Sequence, residues 1–214
     1  KNQPVQYFFG YTYFKKLKIH VNRDVLIPRP ETEELVSLVL SDLAKKKVNN
    51  ILDIGTGSGC ISIALAKSSR VEIIAVDNSN KALKTAKLNA DFHKVSIDFK
   101  HVDILEDVSM IELFNFDIII SNPPYVIYSD IDKSSNIHHE PYSAIFTPSD
   151  NPLVFYKKII LFANKNLNKT GKLFLEINPI FLNELLNICA QYSFKNIKIH
   201  NDFHGKKRFI VVSY

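Results

Sequence analysis

The chain has no tryptophan, one methionine, two cysteines and six glycines among its 214 residues. Each scarcity excludes something. Cys60 and Cys189 lie far apart and outside any metal-ligand spacing, which excludes a metal ribbon and leaves a disulfide as the lesser reading. They read as two buried thiols in a reducing compartment. No uninterrupted apolar stretch approaches the roughly 18 residues that span a bilayer. The opening Lys1-Asn2-Gln3-Pro4 is no signal peptide. The lone methionine is Met110, so the initiator is missing, and a processed chain or a fragment is expected. Arginine is scarce as well, at Arg23, Arg29, Arg70 and Arg208. Nucleic-acid readers favour its bidentate fork, so a diffuse net charge of +5 carried by lysine argues poorly for such a surface.

What is present is ordinary globular material. Hydrophobic residues make up 46% and charged residues 23%, which excludes a disordered or low-complexity chain. The length suits one large domain with a small appendage. Such a chain buries roughly 70% of its unfolded surface and needs no staple.

The chain opens with Tyr7, Phe8, Phe9, Tyr11, Tyr13 and Phe14 crowded around Gly10. Leu17, Ile19 and Val21 then alternate with polar residues, the mark of a half-buried strand. A β-hairpin arm over residues 1–28 is expected, ahead of one domain over 29–214. Pro30 fits a first helical turn, with Glu31, Glu33 and Glu34 at the positive end of the dipole. Leu35, Leu38, Val39 and Leu43 follow at helical spacing, and Lys45, Lys46 and Lys47 are expected to end that helix. Strands are expected at 51–54, 71–76, 95–99, 116–120 and 172–177. Helices are expected from Ile61, from a cap at Asn80 to about Phe92, from Asp150 or Pro152 to about Leu167, and over 182–189. Residues 122–150 read as a long loop. Apolar strands alternating with helices imply a doubly wound α/β fold, its parallel sheet covered on both faces. Two last strands, 197–199 and 209–212, leave no room for a helix and should pair antiparallel at one edge, giving seven strands.

Two motifs carry chemistry. In Asp53-Ile54-Gly55-Thr56-Gly57-Ser58-Gly59, three of the six glycines fall where the first strand turns into its helix. Glycines there let a ligand approach the backbone, and the helix N-terminus offers free N–H groups. Asp77 ends the second strand about 20 residues on, where an acid meets ribose hydroxyls in doubly wound folds. The pattern points to a cofactor bearing a nucleoside. Its G-x-G-x-G spacing departs from the dinucleotide G-x-G-x-x-G and tilts towards S-adenosylmethionine, which has no pyrophosphate.

The second motif, Asn122-Pro123-Pro124-Tyr125, follows the fourth strand. In this winding the first and fourth strands are neighbours at the topological switch point, so the tetrapeptide should sit beside the cofactor. Its prolines stiffen the segment and remove two donors. A planar amino group offers two hydrogens and wants two acceptors. The side-chain oxygen of Asn122 and the backbone carbonyl of Pro123 can supply them, while Tyr125 offers a flat wall.

These motifs resemble the class I S-adenosylmethionine methyltransferases that act on planar amino groups. Val25-Leu26-Ile27-Pro28-Arg29-Pro30-Glu31-Thr32-Glu33 narrows the likeness to the release-factor glutamine N5-methyltransferases, the HemK/PrmC family. Gly10-Tyr11-Thr12-Tyr13-Phe14, Glu140-Pro141 and Gly205-Lys206-Lys207-Arg208 fit it too, so the resemblance runs along nearly the whole chain. The family's N-terminal helical domain, which helps grip the release factor, is expected to be lacking.

The resemblance implies a class I, Rossmann-like fold with a mostly parallel seven-stranded sheet and an antiparallel edge strand. It implies methyl transfer to the glutamine of the Gly-Gly-Gln loop of peptide chain release factors, in the cytoplasm. By the same resemblance Gly55, Thr56, Gly57, Ser58 and Gly59 cradle the cofactor, and Asp77 takes the ribose. Asp103 and Ile104 flank the adenine, where some relatives carry a larger aromatic. Asn122, Pro123, Pro124 and Tyr125 hold the substrate. Arg29 and Thr32 are further candidates for lining the pocket, and Glu140 for facing the incoming loop. A monomer is expected, away from membranes, with no metal and no direct nucleic-acid binding. His138-His139-Glu140 lacks ligand spacing and reads as a solvated loop, and His204 reads as a turn residue. A DNA or RNA adenine amino-methyltransferase, or a glutamine methyltransferase acting on a ribosomal protein, shares the tetrapeptide and stays open. A target-recognition domain of the DNA kind would need more than residues 122–150.

Overall fold

The computed structural model describes residues 3–112, 114–131, 135–192 and 194–214. Lys1 and Asn2 of the expected arm, and residues 132–134 of the expected loop, lie outside them. A short helix, Val5–Phe9 (α1), precedes a hairpin of Tyr11–Phe14 (β1) and Leu17–His20 (β2). Its two turn residues, Lys15 and Lys16, take φ of 48° and 64°. Positive φ at both positions is what a two-residue hairpin needs to match the twist of its strands. Phe14 and Ile19 are fully buried from the hairpin into the core. The helix α1 was not expected from the aromatic crowding.

Pro30–Leu43 (α2) starts at the expected proline, with Arg29 as its N-cap. It ends before the lysine run; Lys46 instead turns back to Asp42 and to the Thr170 carbonyl. The chain continues through Asn50–Ile54 (β3), Cys60–Ser68 (α3), Glu72–Asp77 (β4), Asn80–His93 (α4) and Asp98–His101 (β5). The hydroxyl that caps α4 belongs to Ser79, which accepts from the Ala82 N–H, so Asn80 is the first helical residue and not the cap. Ser109–Glu112 (α5) and Phe116–Ser121 (β6) follow. The expected loop holds small pieces: Val126–Ile127 (β7), Tyr142–Ile145 (α6) and Phe146–Thr147 (β8), with β7 and β8 paired parallel. Val154–Asn166 (α7), Leu167–Glu176 (β9), Leu182–Gln191 (α8), Asn196–Asn201 (β10) and Lys207–Ser213 (β11) complete the chain.

The main sheet has seven strands in the order β10-β11-β9-β6-β3-β4-β5. The expected terminal hairpin forms its edge, and β11, one place in, runs against β9 and β10 alike. Strands β3 and β6 are parallel neighbours, as the winding requires. Alternation gives the sheet two apolar faces. Ile51, Ile118, Ile120 and Phe174 face α2, α3, α4 and the hairpin. Leu52, Ile119, Leu173, Leu175 and Ile210 face α7 and α8. Burying both faces fixes the register, because a slip of one residue would exchange the two sets.

The hairpin is tied down by polar contacts too. Asn89 of α4 accepts from the His20 N–H at 2.8 Å and donates to the His20 and Ser58 carbonyls at 2.9 Å each. One buried amide thus joins the hairpin, α4 and the glycine turn.

Candidate active site

The carboxyl ends of β3, β4 and β6 open into one cleft holding about 770 Å³ between its walls and mouth. The glycine turn forms its floor. Gly55, Gly57 and Gly59 take φ of 74°, 55° and 81°. A Cβ on Gly55 or Gly57 would meet no atom within 4 Å, so both backbones border open space. At Gly59 it would strike Ala86 at 3.1 Å and Ile63 at 3.2 Å. That glycine serves the packing of α3 on α4.

Asp53 supports the turn from below. It is fully buried, and its Oδ2 accepts from Thr56 Oγ1 at 2.7 Å and Ser62 Oγ at 2.6 Å. Its Oδ1 and the Ser58 hydroxyl have no hydrogen-bond partner among the described residues. Burial pushes the Asp53 carboxyl up to about 6, against the pull of those two hydroxyls. An unpartnered buried oxygen is costly unless a ligand or water completes it.

Asp77 accepts from the Gly57 N–H at 2.8 Å and the Ser79 N–H at 2.9 Å. Burial raises its carboxyl above the ordinary range. Asp103 accepts from the Leu105 N–H at 2.8 Å, which fixes the bend that brings Ile104 to the cleft. Gly55, Gly57, Asp77, Asp103, Ile104, Asn122, Pro123 and Pro124 all line this cleft. Thr56, Ser58 and Gly59 do not; their side chains or Cα are turned into the fold.

Asn122, Pro123 and Pro124 also wall a second, smaller hollow with Tyr125, Leu26 and Arg29. The tetrapeptide therefore separates two cavities. Behind it runs a chain of hydrogen bonds. Asn122 Nδ2 donates to Thr32 Oγ1 at 3.0 Å. Thr32 Oγ1 donates to Glu176 Oε2 at 2.8 Å, and the Tyr125 hydroxyl donates to Glu176 Oε1 at 3.0 Å. The Tyr156 hydroxyl donates to the Glu176 backbone carbonyl at 3.3 Å and accepts from the Asn178 N–H at 3.1 Å. Glu176 is 1% exposed, and burial pushes its carboxyl up to about 7. Burial and the nearby carboxylate also raise the Tyr125 phenol.

Glu176, Tyr156 and Asn89 lie outside both sequence motifs. A signal for the first was available: Glu176 ends an apolar parallel strand as Asp77 does. Thr32 does not line the cleft but buttresses Asn122. Arg29 lines the smaller hollow and pairs with Glu140 at 2.5 Å, and Glu140 also accepts from the Ile27 N–H at 3.0 Å. Glu140 thus clamps the Pro28-Arg29-Pro30 segment to the loop after β6. His204 sits in the turn closed by Asp202, as expected. Cys60 and Cys189 are free buried thiols. Among the described residues no cluster could hold a metal ion, and no helix is long and apolar enough to cross a membrane.

The methyltransferase small domain family matches residues 34–202. A release factor glutamine methyltransferase from Flavobacterium psychrophilum is 40% identical over 222 residues, spanning 100% of this chain and 76% of the relative. One from Lactococcus lactis subsp. lactis is 39% identical over 217 residues, spanning 99% and 78%. The ribosomal protein L11 methylase from Lactobacillus delbrueckii subsp. bulgaricus shares the fold, with a TM-score of 0.63 at 20% identity over 91% of this chain and 84% of that one. The chain belongs to the release factor glutamine methyltransferase family.

Proposed function

We propose that the chain transfers a methyl group from S-adenosylmethionine to the side-chain amide nitrogen of the glutamine in the Gly-Gly-Gln loop of peptide chain release factors, in the cytoplasm. The observation that carries this is the placing of Asn122. Its Nδ2 is committed to Thr32, its Oδ1 takes no hydrogen bond from the described residues, and it stands between the glycine cleft and the smaller hollow.

The cleft suits the cofactor on two counts: open space over Gly55 and Gly57, and a half-buried carboxylate at Asp77 in its wall. In this reading Gly55 to Gly59 form the cradle, Asp77 accepts from the ribose hydroxyls, and Asp103 and Ile104 lie against the adenine. When bound, the cofactor supplies a methyl group made electrophilic by its sulfonium. The catalytic unit is residues 29–214, and the arm over 1–28 lends Asp24, Val25 and Leu26 to the cleft wall.

An amide nitrogen is a weak nucleophile, its lone pair delocalised into the carbonyl. Asn122 Oδ1 and the Pro123 carbonyl accept its two hydrogens, which returns electron density to the nitrogen and aims it at the methyl. Tyr125, tethered through its hydroxyl, walls the hollow that admits the glutamine. The amide nitrogen so held would receive the methyl group that the cofactor supplies, and its extra proton would leave to solvent afterwards. No strong general base is required.

The test is transfer of label from S-adenosylmethionine to three acceptors in parallel: intact release factor, the factor with its loop glutamine changed to alanine, and duplex DNA. Label on the intact factor alone is expected. Label on DNA would overturn the proposal in favour of an adenine enzyme.

A further inference from the structure

An amide side chain can present either edge. For Asn122 to offer an oxygen to the target, something must hold its –NH2 edge the other way. The rest of the tetrapeptide does not do so: Pro123 and Pro124 bring no donor or acceptor side chain, and the Tyr125 hydroxyl is spent on Glu176. The holding contacts come instead from α2 and β9.

An ionised carboxylate only accepts hydrogen bonds, whereas a hydroxyl has one proton to give. Thr32 spends its proton on Glu176 Oε2. Its oxygen is then left only with lone pairs to face Asn122, and these bind Nδ2 and repel Oδ1. The direction of every bond in the chain follows from the single acceptor at its end. Thr32 is 3% exposed and Glu176 1%, so water does not compete for these positions. Resting on the functional reading above, we propose that Glu176 is a positioning residue that sets the polarity of the Glu176–Thr32–Asn122 chain, so that the Asn122 amide turns its oxygen to the substrate amine.

Protonating Glu176 would make it a donor. Thr32 could then accept from the acid and give its own proton to Asn122, which would swing Oδ1 inward and turn –NH2 towards the substrate. Two amino groups would face each other. The groups around Glu176 set where this happens. Thr32, Tyr125 and the Arg208 guanidinium favour the carboxylate, while burial and Glu31 disfavour it. Tyr156 approaches from α7 and binds the Glu176 backbone. The balance falls near 7.

The experiment measures kcat and KM for release factor against pH, at saturating cofactor, for wild type and for Glu176→Gln, Thr32→Val and Thr32→Ser. For wild type, kcat should fall as pH drops through about 7. In Glu176→Gln that limb should vanish, because a side-chain amide does not titrate. Its kcat at alkaline pH should fall only several-fold, since an amide can turn either edge to Thr32. Thr32→Val should lose about tenfold in kcat with KM held, the worth of one hydrogen bond, and Thr32→Ser should restore it. Cofactor affinity should stay within about twofold throughout, because these residues lie outside the glycine cleft. The side-chain amide signal of Asn122, identified by its loss in Asn122→Ala, should shift across the same pH window in wild type and stay fixed in Glu176→Gln. An acid limb that persists in Glu176→Gln, or a Thr32→Val enzyme at wild-type rate, would overturn the relay and leave the functional reading standing. A wild type that methylates no release factor would overturn both.

Discussion

Asp53 and Glu176 are buried carboxylates on the same face of the sheet, each ringed by hydroxyl groups. Their carboxyls rise to about 6 and about 7 from ordinary values of 3.8 and 4.5. A raised value means that the folded chain holds its proton longer than the unfolded chain. The stability each contributes is therefore fully present below about pH 4 and is lost as pH rises through the folded value. Denaturation at about pH 4 and about pH 8 should show this for Asp53→Asn. The variant should compare better with wild type at the higher pH, where wild type carries an ionised, half-satisfied carboxylate. Equal differences at the two pH values would contradict that burial. At this scale the sequence was partly legible. Asp77 and Asn122 announce themselves because each follows a strand in a fold whose ligands bind at strand ends. Glu176 does not, because its meaning lies in contact with Thr32, 144 positions away. Thr56 and Ser58 match the motif yet face inward, and Thr56 spends its hydroxyl on Asp53 to hold the turn.

Within single elements, the glycine turn separates two roles that one motif conceals. Gly57→Ala meets open space but forces φ of 55° on an alanine, so stability should drop by only about 1–2 kcal/mol. The added methyl would occupy the cradle, so its larger effect should be on cofactor affinity, read by titration. Gly59→Ala adds a clash with Ala86 to the same strain. It should cost about 1–3 kcal/mol more through overpacking, read as a lower melting temperature. In the hairpin, replacing Lys15-Lys16 by Asn-Gly supplies residues at ease with positive φ and should stabilise by about 0.5–2 kcal/mol, visible as a higher melting temperature. Long elements were legible because a full apolar stripe or run is hard to mistake. The short ones, α1, α5, α6, β7 and β8, were not. An isolated turn or two of helix is marginal in water, so tertiary contact decides whether such pieces form. The cap at Ser79 was missed for a related reason: neighbouring Ser and Asn are both good caps, and the strand end decides between them.

Over the whole molecule, three separate stretches of chain build one site. The sheet sets β3 beside β6, which brings the glycine turn and the tetrapeptide together; this much follows from topology and could be read from the alternation of strands and helices. The contribution of the arm could not, since it depends on Asn89 and Glu140 reaching across the fold. Glu140→Ala leaves the Ile27 N–H and the Arg29 guanidinium unpaired. Arg29 keeps 34% of its side-chain surface in water, which screens the pair, so the expected loss is about 1–2 kcal/mol. Cofactor affinity should weaken with it, because Asp24, Val25 and Leu26 belong to the cleft wall. Unchanged stability and affinity in that variant would mean that the clamp is not needed to hold the arm. The claim on which the rest depends is that Asn122 grips the amide that receives the methyl group. The most direct measurement is single-turnover methyl transfer to release factor by Asn122→Ala, with cofactor affinity determined on the same protein. The expected rate is lower by about 100-fold or more, with cofactor affinity nearly unchanged. A rate within a few-fold of wild type would contradict the claim.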